Sequence, residues 1–189
     1  MRITLAPLVL MLLALLSTGC ASAQRPGASP AGPVGPACDE TAPSTPACDF
    51  ALAIALGRQA RDHPTTAHDG LARMVVLLKR ATAAEPGLDH AGPDRVLALL
   101  LLRAPGWPLG PGDPEEGLVV ARRAATRFPD FAPNQLALSE ALAANGEPEP
   151  SREAARRALA LAEAAAAAGE PEAAGWVREA RLREMRERP

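Results

Sequence analysis

The stretch Gly112 to Pro129, GDPEEGLVVARRAATRFP, decides how this chain is to be read. Its small residues and its proline, Gly117, Ala121, Ala124 and Pro129, follow one another at steps of four, three and five. Steps of three and four put small side chains on one helical face, where a second helix can approach closely. A proline after the last of them stops the helix, and Gly112 falls on the turn before it.

Those positions match the second helix of the tetratricopeptide repeat, a helix–turn–helix unit of about 34 residues. The match makes its own test: one repeat length further on there should be another turn glycine and two more small residues. Gly146, Ala155 and Ala158 stand there. Glu163 stands where the next stop proline belongs, so the helix beginning near Pro150 and Ser151 should run on through Ala164 to Ala168. The expected fold is therefore all-α, a tetratricopeptide-like helical repeat, an α-solenoid of antiparallel helix pairs with about seven helices.

Outward from this centre, proline punctuation marks the other elements. Thr45 and Pro46 open a first helix that His63 and Pro64 end. A second runs from about Thr66 to Ala84, with Leu71, Met74, Val75, Leu78 and Ala81 as its core stripe. Gly92 and Pro93 start a third, apolar all round from Val96 to Leu102 and so expected to be buried. Asp113, Pro114 and Glu116 read as a capping box for the fourth. Between the third and fourth lies a long turn, Ala104 to Asp113, whose Trp107 is either a lid on the core or part of a contact surface. A last helix from Pro171, carrying Trp176 amid alternating Arg and Glu, reads as the wet-faced cap of a solenoid.

The chain of 189 residues opens with Arg2 and an apolar run from Ile3 to Leu16, then Ser17, Thr18, Gly19 and Cys20. The run is short for a membrane span and reads as a signal peptide, residues 1–19. Small residues before a cysteine suit lipoprotein processing, which would make Cys20 the acylated N-terminus; Ala21, Ser22 and Ala23 offer ordinary signal peptidase a competing site. Residues 20–46, rich in Ala, Gly, Pro, Ser and Thr, form the expected lipidated flexible tether, and 47–189 the helical-repeat domain. In an oxidising envelope compartment Cys38 and Cys48 are a candidate disulfide, with free thiols and a catalytic pair as the alternatives.

Composition excludes several classes. A formal charge of -2, with basic and acidic residues interleaved, gives no footprint for nucleic acid. Aromatics make up only 3% and Tyr is missing altogether, so β-sheet is poorly supported. His63 and His68 straddle a helix break and share no face, so no metal site and no cofactor is expected. Ser139 has no evident histidine, Asp94 with Arg95 reads as a helix start, and no other catalytic constellation is spaced recognisably, so no enzyme is expected.

The run DHAGPDRVLALLLLRAP, then GDPEEG, an Ala-rich helix, FPDFAPN and QLALSEALAANGE resembles the TatT family, periplasmic helical-repeat lipoproteins associated with TRAP transporters. The likeness covers roughly Leu71 to Ala158 and rests on the order of Gly92, Pro93, Arg95, Pro105, Gly112, Asp113 and Pro129 to Asn134. The chain is short for that family and lacks the aromatic residues common in its helices. The resemblance implies a non-enzymatic solenoid, trimeric with a central pore, that works with a TRAP substrate-binding protein and a membrane transporter. The expected address is the periplasmic side of the bacterial envelope, anchored in the outer membrane by acylated Cys20. General envelope assembly, or carriage of a small ligand in a groove near Arg95, Trp107 and Asn134, are the alternatives.

Overall fold

The computed structural model describes residues 38, 44–63 and 67–186. The expected signal peptide, Cys20 and most of the tether lie outside the described residues. Among those described the chain is all-α, with seven helices: α1 Pro46–Asp62, α2 His68–Ala84, α3 Gly92–Arg103, α4 Pro114–Arg127, α5 Ala132–Ala144, α6 Pro148–Ala167 and α7 Ala173–Arg186.

Prolines act mainly as starters. Five helices, α1, α3, α4, α5 and α6, carry one in their first two positions, where the missing N–H would have had no intrahelical partner. Pro129 does the opposite and follows the C-cap of α4 at Phe128. Thr45 caps α1 by accepting from the Cys48 N–H at 3.1 Å. Asp113 caps α4 by accepting from the Glu116 N–H at 3.0 Å, but the capping box is only half made. The Asp113 N–H is taken by the Leu101 carbonyl at 2.9 Å, and the Glu116 carboxylate turns instead to Lys79 of α2 at 2.8 Å.

Packing follows a repeat. The hairpins α1–α2, α3–α4 and α5–α6 stack through α2 on α3, α4 on α5 and α6 on α7, while α3 also touches α5, and α5 touches α7. Alternate helices therefore form a row, which is the arrangement of a helical-repeat fold. The small residues lie where two backbones meet. A Cβ on Gly117 would sit 3.1 Å from Leu102 Cγ and 3.4 Å from the Ala98 carbonyl of α3. Ala121, Ala124, Ala155 and Ala158 are fully buried, and Ser151, one repeat length after Gly117, is buried as well.

The period is nonetheless confined to alternate helices. Helix α4 begins at Pro114 and α6 at Pro148, one repeat apart, but α3 begins at Gly92 and α5 at Ala132, six residues further apart than that. The long turn before α4 supplies the extra residues. The core stripe of α2 also differs from the sequence reading: Leu77 is buried beside Met74, Leu78 and Ala81, while Leu71 and Val75 are only half-buried against them.

Two polar ties lock the hairpins. Asp94, 1% exposed, is more than part of a helix start: it accepts two hydrogen bonds from Arg123 of α4 and one from Thr82 of α2. Ser151 Oγ donates to the Ser139 carbonyl at 2.8 Å, and the two hydroxyls lie 3.2 Å apart, joining α6 to α5.

Candidate functional site

Among the described residues the turn between α2 and α3 has an unusual backbone. Asp89, His90 and Ala91 take φ values of 47°, 54° and 60°, three successive left-handed residues without a glycine among them. Each such L-residue costs roughly 1–2 kcal/mol, and Asp and His are among the side chains that tolerate the region best. The turn persists because it is held from several sides. Arg95 donates to the carbonyls of Asp89 and His90 and, at 2.8 Å, to the Asp89 carboxylate. Asn134, fully buried at the start of α5, donates to the His90 carbonyl at 3.0 Å and accepts from Arg95 at 3.1 Å. Gly92 follows because nothing larger fits: a Cβ there would lie 2.6 Å from Asp89 Oδ2 and 2.9 Å from Phe50 Cζ.

Aromatic rings close over this frame. His90 stacks on Phe131 with centroids 4.4 Å apart, Phe131 meets the edge of Trp176 at 5.3 Å, and the Arg95 guanidinium lies over the Phe131 ring at 5.1 Å. Burial pulls the Arg95 guanidinium below the usual arginine range, with the charge of Asp89 opposing that shift. Its charge is thus balanced inside the fold.

From this cluster a groove runs along α3, α5 and α7. One cavity of about 230 Å3 is lined by residues that include Arg95, Leu99, Phe131, Leu136, Glu172 and Trp176. A second, of about 290 Å3, is lined by Arg103, Leu182, Arg183 and Arg186, and Glu140 and Glu179 line both. Glu140 is the tie across the groove. It accepts from Arg103 of α3 through both oxygens at 2.7 Å and from Arg183 of α7 at 2.7 Å. Burial alone would push its carboxyl up, but the hydrogen bond and charge of Arg103, then those of Arg183, outweigh burial and hold it below the usual glutamate range.

Of the residues singled out in the sequence, Arg95 and Asn134 come together here. Trp107 does not: it is 90% exposed in the turn before α4, lines neither cavity, and is no lid on the core. Cys38 and Cys48 are joined by a disulfide. Cys20 lies outside the described residues. Among the described residues no three His, Cys, Asp or Glu side chains gather as a metal site would require.

The sequence points to a groove near Arg95 and Asn134 but not to its α7 wall. Trp176 faces α5, Arg183 is tied to Glu140, and Leu182 is half exposed at the rim, so the charges of α7 are only partly solvated. One signal was present: Trp176 and Glu179 are three apart on one face of α7, and Glu172 stands in the turn just before it. No family model matches the chain, and no curated protein matches it in sequence.

Proposed function

We propose that the chain is a lipid-anchored helical-repeat scaffold of the periplasmic envelope that binds a protein partner in the groove of α3, α5 and α7, as an accessory to a TRAP-type solute transport system. The observation that carries the binding role is the groove itself, an open trough built from alternate helices with aromatic, apolar and charged walls. Two features favour a protein partner over a carried small molecule. The Arg95 end is smaller than the roughly 300–1,000 Å3 of small-molecule sites, and the trough continues past Glu140 into a second cavity. Two side chains that could do chemistry are committed to structure: Asp94 to Arg123 and Thr82, and Ser139 to Ser151. The anchor rests on Cys20 following a short apolar run, and the transporter association and trimeric state on the family resemblance.

A photo-crosslinking residue at Leu99, inside the groove, is the direct test, with one at exposed Val119 of α4 as control. In the native host the Leu99 position should capture a substrate-binding subunit that the Val119 position does not. An envelope-assembly protein captured instead would give the role to the alternative reading, and equal capture at both positions would remove the groove from it. Radiolabelled palmitate should enter wild type and not Cys20→Ser. Light scattering of the protein without its signal peptide reads the trimer directly.

A further inference from the structure

The chain has two asparagines, and their surroundings differ. Asn134 precedes Gln135 and is fully buried; Asn145 precedes Gly146, which is exposed. An asparagine followed by glycine is chemically labile, because no side chain shields the glycine nitrogen from the carboxamide beside it. In the fold Asn145 is the C-cap of α5, and Gly146 is left-handed at φ 74°. The Gly146 N–H donates to the Ala143 carbonyl at 3.1 Å and the Glu147 N–H to the Leu142 carbonyl at 2.9 Å, the paired bonds that close a helix on a glycine. The Asn145 carboxamide is also committed. Its Nδ2 donates to the Ala141 carbonyl at 2.8 Å and, across to the first residue of α4, to the Pro114 carbonyl at 2.9 Å. Both partners only accept, so the position requires an amide nitrogen.

We infer that Asn145 is a site of spontaneous deamidation, gated by opening of the last turn of α5, and that its product releases α5 from α4. In the reaction the Gly146 backbone nitrogen, its proton lost to solvent, adds to Asn145 Cγ. A C–N bond forms, the Cγ–Nδ2 bond breaks, and Nδ2 leaves as ammonia after taking up a proton. Water then opens the succinimide at either carbonyl, giving aspartate or its β-linked isomer. While the turn is closed, the nucleophile is bound to Ala143 and the carboxamide to Ala141 and Pro114, so cyclisation has to wait for these bonds to break. The product cannot restore them. An aspartate there turns a carboxylate oxygen toward two carbonyl oxygens and places a negative charge at the C-terminus of α5, where the helix dipole opposes it. The β-linked isomer adds a methylene to the backbone inside the closing turn. Because α4 ends one hairpin and α5 begins the next, the modification acts on the joint between two repeats.

The protein is incubated in mildly alkaline buffer, folded and in parallel unfolded in guanidinium, and sampled by peptide mapping that separates asparagine, aspartate and isoaspartate. Asn145 should convert to both products in each sample while Asn134 stays intact, and conversion should be at least about tenfold slower in the folded protein, since several hydrogen bonds have to open first. Asn145→Asp should lower the urea midpoint, and more than Asn145→Ala does, because alanine removes the tie without adding a charge. Conversion of Asn134 ahead of Asn145, or no conversion at Asn145, overturns the site. Equal rates in folded and unfolded protein overturn the gate. An Asn145→Asp midpoint equal to that of wild type, checked on aged wild-type protein, overturns the loosening of the joint.

Discussion

Arg123 reaches from α4 to Asp94 in the first turn of α3, with Nε 2.8 Å from Oδ2 and Nη2 2.7 Å from Oδ1. The two partners are unequally placed: the Asp94 side chain is 1% exposed and that of Arg123 is 44% exposed.

This inequality predicts unequal costs of breaking the pair. Arg123→Met leaves a buried carboxylate with Thr82 alone, which should cost about 3 to 5 kcal/mol. Asp94→Asn leaves a guanidinium that can turn to water, and should cost only about 1.5 to 3 kcal/mol. Urea unfolding of the two variants checks the order, and a larger loss for Asp94→Asn would contradict it.

Close helix packing predicts a contrast between neighbours on α4. Ala121 is fully buried against the adjacent elements, so Ala121→Leu should overpack the contact and cost about 1 to 3 kcal/mol. Arg122 lies on the exposed face in a solvent-accessible pair with Glu147, and Arg122→Leu should change stability by within about 0.5 to 1 kcal/mol. Equal midpoints for the two variants would mean that the small-residue face is not the packed one.

A pH dependence follows from Glu140. Its folded carboxyl titrates below the unfolded value of about 4.3, so its contribution is fully present above that pH and is lost as pH falls through the lower folded value. The gap in stability between wild type and Glu140→Gln should therefore be constant near neutrality and narrow below about pH 4. Denaturant midpoints measured across this range test the sign; a gap that widens on acidification would show that Glu140 is not held ionised by Arg103 and Arg183.

The Cys38–Cys48 bond predicts two linked results. Both thiols should resist alkylation until reduced, and Cys48→Ser should lower stability by about 2.5 to 3 kcal/mol through the freed chain entropy of the unfolded state. Mass spectrometry of unreduced protein gives the first and thermal unfolding the second.

What the sequence discloses is what depends on neighbours in the chain. Prolines in the first turn of a helix, Thr45 and Asp113 as caps, and the small face of Gly117, Ala121 and Ala124 are set by spacings of a few residues, and all can be read without coordinates. The candidate site is different in kind. Asp94 meets Arg123 across 29 residues, Arg103 meets Glu140 across 37, and Arg183 meets Glu140 across 43. No local pattern marks such pairs. The left-handed turn at Asp89 to Ala91 is still less legible, because its conformation is imposed by Asn134 from the start of another helix. Arg95 and Asn134 stand out in the sequence through the ordered motifs around them and Trp107 through its long turn, but the ring that lines the groove is Trp176.

The disulfide also fixes how this protein would carry a mechanical load. Cys48 lies in the first turn of α1, so tension applied to the chain ahead of Cys38 enters the fold through a covalent sulfur bridge at that turn. The nine residues between the cysteines are bypassed, and the Thr45 cap, a single hydrogen bond, is spared the pull. A tug from that side would have to shear α1 from α2 as a unit instead of peeling its first turn, which makes the N-terminal hairpin the grip by which the whole stack is held.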